Sequence, residues 1–508
     1  MMLKGQFAAD RQKSHPRNQG NAVVGWHLLE CSFHEQRLTC RASFWQRTEM
    51  LDQRSLRYVS TMRSVFRRCY FLALLLPPPL TLAAQAAAAV QVARPAVCPD
   101  NVAAGSRCLS GRDSAGAYYW FAVPPQWNGT LVVHAHGGPE LGEPKADRVA
   151  ADLARWSVWT RAGYAYAGTG FHQGGVAVRS AADDIERVRQ LFVQQVAAPA
   201  RTVLHGQSWG AGVAARAAEL SATAVDGRSP YVGVLLTAGV LGGGSQSYDF
   251  RFDLRAVYQA VCRNHPRADE PSYPLWQGLP LSSTLTRAEL ASRVDDCTGV
   301  RKPASERSPQ QQRNLRDILG VVAIPESALL SHLNWGTWHF QDVVFRRLAG
   351  RNPFGNASVR YVGSHDDSAL NAAVFRAAAD PGAQADFAAD ADPSGRIPVP
   401  VLTLHGTNDP TAFVELESVF RETMQRGGSG DRLVQLFTDD SEHSYLSDAQ
   451  YVTAMRALLT WAERGGKPTP AGVAAQCRTV ESAFAPESGC RFLPAYQPRA
   501  LSARVPRR

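Results

Sequence analysis

Val203-Leu204-His205-Gly206-Gln207-Ser208-Trp209-Gly210-Ala211-Gly212 carries an apolar strand into Gly-x-Ser-x-Gly and then into an alanine-rich helix. Strand, motif and helix in this order are the context of a nucleophile elbow, where a serine hydroxyl is lifted on a turn too tight for side chains two positions either side. Gly206 and Gly210 therefore flank Ser208. The helix that follows, through Val213, Ala214, Ala215 and Ala218, aims its N-terminus at the serine, where backbone N–H groups stabilise developing negative charge.

Upstream, residues 117–123 (AYYWFAV) are dense in aromatic side chains and read as a strand closed by Pro124, Pro125 and the turn Trp127-Asn128-Gly129. Residues 130–135 are apolar apart from His134, as in a strand buried on both faces. They end in His136-Gly137-Gly138-Pro139, where glycines beyond a strand let backbone N–H groups approach a ligand closely. In 146–162 Val149, Leu153, Trp156 and Trp159 recur at helical spacing, with Gly163 as the cap and both tryptophans in the core. A strand at 164–167 leads into the glycine-rich loop 168–175, whose spacing fails the dinucleotide fingerprint. His172 in that loop either lines the site or sits at the surface. Ser180 caps a helix with Ile185, Val188, Leu191 and Phe192 on its buried face, and residues 231–238 form another buried strand. Strands alternating with helices imply a parallel sheet wound in right-handed crossovers.

From 245 to 396 the rhythm changes: apolar strands vanish and helical patterns take over at 252–262, at 328–348 and after the capping box Thr286-Arg-Ala-Glu289. This stretch reads as a helical cap inserted in the sheet, because strand patterns resume at 400–404. Trp335, Trp338, His339 and Phe340 either roof an apolar pocket or fill the cap's own core. Beyond the resumed strand come His405-Gly406-Thr407-Asn408-Asp409-Pro410, a helix at 412–424, a strand at 433–437, Asp439-Asp440-Ser441-Glu442-His443 and a helix at 449–462.

The chain has 508 residues, 45% hydrophobic and 19% charged, ample for a large core. Its +9 charge is concentrated at the N-terminus: twelve of the 54 Lys and Arg but only five of the 45 acids precede Ala87, which leaves +2 for the remainder. That balance offers no basic patch for a nucleic acid. Met62 begins a basic segment, a short apolar run broken by Pro77, Pro78 and Pro79, and a small-x-small site at Ala84-Gln85-Ala86, which together read as a secretory signal peptide rather than a spanning helix. Residues 1–61 are then expected to be an extension created by a misplaced start, the alternative being a real cytoplasmic extension followed by a membrane anchor. The expected organisation is 1–61 extension, 62–86 signal, 87–244 first part of the core, 245–396 cap, 397–465 second part of the core and 466–508 tail.

Past the signal stand six cysteines, an even number suited to an oxidising compartment. Of fifteen pairings, the sequence-adjacent couples are expected: Cys98 with Cys108, Cys262 with Cys297, and Cys477 with Cys490. No Cys-x-x-Cys or clustered histidine points to a metal.

Ser208, Asp409 and His443 each follow a strand's C-terminal end, where open α/β sheets place ligands. His405 rivals His443, and Asp439 and Asp440 rival Asp409, which could also be only a helix cap. The order nucleophile, acid, histidine resembles the α/β-hydrolase superfamily over about 98–462. The resemblance implies that Ser208 attacks a carbonyl, His443 relays its proton, Asp409 orients the imidazole, and Trp209 with Gly138 or Gly137 forms the oxyanion hole. It implies no cofactor.

The Tyr119-Trp120-Phe121 and Trp127-Asn128-Gly129 region resembles exported bacterial esterases. His136-Gly-Gly-Pro139 with Ser208-Trp209 resembles prolyl aminopeptidases, although Glu140 and Gln207 stand where those have glycine, and Glu289, Glu306 and Glu326 are unassigned as grips for a free amino terminus. The expectation is a periplasmic or secreted serine hydrolase of a small ester or short peptide, without a stable membrane anchor when mature and of open oligomeric state. A non-catalytic hydrolase-like binding module is the reading from another class.

Overall fold

The computed structural model of the chain describes residues 30–34, 37–41, 92–221, 228–484 and 489–508. It divides into two units, 1–84 and 85–508. In the first, strands β1 (Glu30–His34) and β2 (Arg37–Arg41) pair antiparallel. The expected signal segment at 62–86 lies outside the described residues.

In the second unit nine strands join one sheet among the described residues: β3 (Arg94–Ala96), β4 (Arg107–Arg112), β5 (Tyr118–Val123), β6 (Thr130–Ala135), β7 (Ala165–Thr169), β8 (Arg201–Gln207), β9 (Gly233–Thr237), β10 (Val401–Gly406) and β11 (Leu433–Thr438). They lie in the order β11-β10-β9-β8-β6-β7-β5-β4-β3. From β6 onward neighbouring strands run parallel, while β3, β4 and β5 pair antiparallel. All residues of β6, β7, β9 and β10 are buried, as their uninterrupted apolar runs demand. Alternate residues serve opposite faces. Leu131 and Val133 pack with residues of helices Val178–Gln195 and Trp209–Ser221. Val132 packs with residues of Ala146–Arg155 and Asp448–Arg464.

The direction of winding reverses at β6, with β7 on one side and β8 on the other. Register pairs Ala135 with Gly206, so the loops leaving β6 and β8 emerge side by side, and a crevice opens between them. This strand order, with the serine turn after β8, is the α/β-hydrolase fold.

Several local expectations need correction. The helix expected over 146–162 is two, Ala146–Arg155 and Val158–Arg161, because Trp156 leaves helical geometry. The break lets Trp156 and Trp159 stack nearly parallel and close around His205, which itself stacks on His134. Burial lowers the pKa of both histidines, His205 to about 3, so they are neutral and share one hydrogen bond between Nδ1 atoms at 2.9 Å. The helix assigned to a Ser180 cap begins earlier, at Val178, and Asp390 accepts its first N–H groups from 212 residues away. The helix expected at 412–424 runs Leu416–Arg426.

Between β9 and β10 no strand forms, and helices dominate, including Asp249–Cys262, Arg287–Thr298 and Pro309–Val322. Thr286 and Glu289 form the expected capping box, and Ser308 with Gln311 forms a second. The helix expected over 328–348 is wound as Leu329–Asn334 followed by two π-helical turns, Trp335–His339 and Asp342–Arg347. The three expected disulfides all form.

The tail holds a helix, Pro470–Phe484, whose Val473, Cys477 and Val480 join the core. It then runs along β11: Phe492 bridges Thr438, Leu493 N–H donates to the Phe437 carbonyl, and Asp439 N–H donates to the Arg491 carbonyl, both at 2.8 Å. At the other margin, β3 carries Pro95. Among the described residues no helix is long and apolar enough to cross a membrane.

Candidate active site

Ser208 sits at φ +57°, a left-handed conformation costly for a non-glycine residue and maintained only when its surroundings enforce it. Enforcement comes from both sides: Ser208 N–H donates to the Thr237 carbonyl at 2.9 Å, and Val240 N–H donates to the Ser208 carbonyl at 3.0 Å. Gly206 and Gly210 allow the crossing. A Cβ at Gly206 would lie 2.3 Å from the Gly210 carbonyl oxygen, and one at Gly210 would lie 2.2 Å from that of Ala135.

His443 Nε2 lies 2.8 Å from Ser208 Oγ, and its Nδ1 lies 2.8 Å from Asp409 Oδ2. Asp409 Oδ1 also accepts the N–H groups of Thr411 and Ala412 at 2.8 and 2.9 Å. The turn-capping role and the imidazole-orienting role therefore fall to one carboxylate. Burial by itself would raise its pKa, yet the His443 and His405 imidazoles hold it below the ordinary carboxylate range.

The rivals occupy other places. Asp440 is buried but accepts from Gln450 and Arg491, and Asp439 is exposed. His405 lies behind Asp409: its Nε2 faces the Ala412 carbonyl at 2.9 Å with Asp409 Oδ2 at 3.6 Å, and its Nδ1 faces Glu417 Oε1 at 3.1 Å. Both ring nitrogens thus meet acceptors, the environment of an imidazolium. Burial opposes the charge, but Asp409 and Glu417 outweigh it, and the pKa is pushed up to about 10.

Two contacts that sequence reasoning missed hold the histidine loop. Gln207, the residue before the serine, donates from Nε2 to Ser444 Oγ while its amide lies against Gly137. Arg155 donates to the Ser444 carbonyl at 2.8 Å, and Ser444 itself has φ +60°. In the sequence Gln207 stands out only as a departure from a family pattern, and nothing local to Arg155 marks it.

Ser208, Trp209, Gly137, Gly138 and His443 all line one cavity of about 590 Å³. Its roof includes Tyr248, Trp335 and His339, stacked in that order with ring centroids 4.4 and 4.7 Å apart. Two histidines on one helical stretch fasten roof to floor. His339 Nε2 donates to the Pro139 carbonyl at 2.9 Å, beyond the glycine loop, and His332 Nε2 donates to the Pro410 carbonyl at 3.0 Å, beside Asp409. Burial lowers their pKa values to about 4 and about 3, which keeps them neutral.

Of the other sequence candidates, Trp338 turns away and packs in the helical cluster under Arg287, and Phe340 is core, stacked on Phe354. The π-helical turn spreads successive residues over different faces, so Trp335 reaches the cavity and Trp338 does not. His172 also lies outside the cavity lining, with its ring and backbone N–H held by Asp184. Glu289 and Glu326 are engaged with Thr286 and Arg307, and neither they nor Glu306 line this cavity. Among the described residues no three His, Cys, Asp or Glu gather as a metal site. Backbone N–H groups at the start of a helix and beyond a glycine turn, beside a serine bonded to a histidine, can stabilise an oxyanion formed at that serine.

No protein-family model and no curated protein matches the chain. Similar solved structures include feruloyl esterase B from Aspergillus oryzae (13% identity, 75% of this chain and 88% of that one, TM-score 0.37). Candida antarctica lipase A is another (13%, 77% and 85%, 0.38), as is the rice cell wall degrading esterase LipA from Xanthomonas oryzae (12%, 71% and 89%, 0.33). Strand order and the serine turn define the fold; likenesses of this size do not.

Proposed function

We propose that this chain is an exported serine hydrolase that cleaves carboxylic esters through an acyl-enzyme, with residues 245–396 as the roof of its site. One observation carries the reading: Oγ of Ser208, the imidazole of His443 and the carboxylate of Asp409 form an unbroken hydrogen-bonded line at the mouth of a crevice. Ser208 Oγ attacks the ester carbonyl as His443 Nε2 takes its proton, and the oxyanion is held by the N–H groups of Trp209 and Gly138, with Gly137 beside them. Collapse expels the alcohol, which receives the proton from His443. Water, activated by the same imidazole, then releases the acid and restores the serine. Each oxyanion donor contributes about 3 to 4 kcal/mol to such a transition state.

An aminopeptidase must hold an ammonium group, which calls for carboxylates. Glu140 is the acid lining this cavity, and it is ion-paired to Arg148. The ester reading is favoured for that reason. Export is supported by three disulfides, which persist in oxidising compartments.

The test is to label the purified protein with a fluorophosphonate, then offer nitrophenyl esters and prolyl or alanyl arylamides in parallel. Labelling at Ser208 and ester turnover, both lost in Ser208→Ala, are expected. Faster arylamide turnover would turn the assignment to a peptidase, and an unlabelled protein would leave a binding module.

A further inference from the structure

The cavity that holds Ser208 is strongly cationic. Lys145, Arg148, Arg155, Arg251 and Arg287 line it against the one acid Glu140. Most of these cations have work elsewhere: Arg148 pairs with Glu140 and Asp152, Arg155 donates to the Ser444 carbonyl, and Arg287 covers Trp338. Arg251 is different. Among the described residues it forms no ion pair; neither do Lys145, Arg155 and Arg287, but Lys145 and Arg287 are exposed and Arg155 is half-buried, whereas Arg251 is 4% exposed.

Its Nη1 donates to the Ser247 carbonyl at 3.2 Å, its Nε has no partner, and its guanidinium lies over the rings of Phe250 and Trp335 at 4.5 and 4.6 Å. The acids on its own helix are committed to the other side, where Asp249 and Asp253 pair with Arg508. Burial lowers the Arg251 pKa to about 10, which still leaves the group charged. A buried charge without a counter-charge is retained at a cost unless something supplies the missing partner.

We propose that Arg251 binds a carboxylate carried by the substrate, so that the enzyme acts on esters bearing a free acid group; this rests on the hydrolase reading above. The guanidinium fork matches a carboxylate in two-point geometry. One buried cation without an acid balances one negative charge, which suits a carboxylate; of its neighbours Arg148 is ion-paired, Arg155 is held by the Ser444 carbonyl, and Lys145 and Arg287 lie open to solvent, where their charge is screened. The stacked Tyr248 and Trp335 beside it provide an apolar track for the carbon chain between that acid and the ester bond.

The test compares paired esters that differ only in the acid. 4-Nitrophenyl hemiadipate is set against 4-nitrophenyl hexanoate, and 4-carboxyphenyl butyrate against phenyl butyrate, covering an acid on either side of the ester. The wild type is expected to favour the acid in at least one pair by tenfold or more in kcat/KM. Arg251→Met should bring that ratio to within about twofold, and Arg251→Lys should keep part of it. No preference in either pair, or a preference that survives Arg251→Met, overturns the proposal.

If Arg251→Met does not fold, the wild type decides: adipate should slow fluorophosphonate labelling at concentrations where adipamide does not, and equal protection by both counts against the site. A protein that neither reacts with the probe nor cleaves any ester refutes the hydrolase reading instead. The anion site is then judged by whether adipate, and not adipamide, raises Tm in the wild type, by less in Arg251→Lys and not at all in Arg251→Met.

Discussion

Replacing His405 by Gln removes one buried positive charge while keeping a side chain able to hydrogen-bond. In the native protein that imidazolium stands between Asp409 and Glu417, fully buried, with a pKa raised from 6.5 to about 10. A group whose folded pKa is raised gives its whole stabilisation below the unfolded value and loses it as pH climbs through the folded one. For this shift the linkage amounts to about 4 kcal/mol at pH 7, of which about 2 to 3 kcal/mol disappears between pH 7 and pH 9.

The variant leaves two carboxylates buried with less compensation, a loss in the range of about 3 to 5 kcal/mol for a broken buried pair. Urea unfolding of both proteins at pH 7 and pH 9 checks this, because groups common to the two cancel in the double difference. The wild type should lose about 2 to 3 kcal/mol more than His405→Gln over that interval. Parallel losses would refute the assignment of an imidazolium behind Asp409.

Gly210→Ala would drive a methyl group against the carbonyl oxygens of Ala135 and His136; a loss of more than about 2 kcal/mol in denaturant and collapse of probe labelling are expected. Gln207→Leu deprives Ser444 of its donor and unsettles the His443 loop, so kcat should fall by about 10- to 100-fold with KM little changed in steady-state kinetics. His339→Leu removes the donor to the Pro139 carbonyl and should raise KM and increase proteolysis of the helical roof, while the floor stays protected. Replacing Cys477 and Cys490 by Ser should cost about 3 kcal/mol in calorimetry, and the longer loop closed by Cys262 and Cys297 about 4 kcal/mol.

What could be read in advance was written locally. The elbow needs glycines at fixed offsets, the strands need unbroken apolar runs, and the disulfides join neighbours in sequence, so each is visible within a few dozen residues. Ser208, Asp409 and His443 were legible because each follows a strand end, and the order of strand ends implies convergence. The remainder depends on partners far along the chain. Asp390 caps a helix that looked as though it should be capped by Ser180. The π-helical winding that separates Trp335 from Trp338 leaves no mark in the hydrophobic period, and a helical repeat through Trp156 hid the break that closes the aromatic box around His205. Arg251 gave no signal at all, since a sequence does not reveal which arginine lacks an acid.

A wide sheet with a bare margin is a template on which a second copy can lay down a strand. Here the segment after Cys490 occupies one margin, at β11, and Pro95 withholds a donor at the other. The Cys477–Cys490 bridge anchors the start of that segment to the helix Pro470–Phe484. Reduction of that bridge removes one tie on the covering segment, which the backbone bonds to Phe437 and Asp439 and the Arg491–Asp440 pair still hold, so the reduced protein should self-associate more readily than the oxidised one while both remain folded.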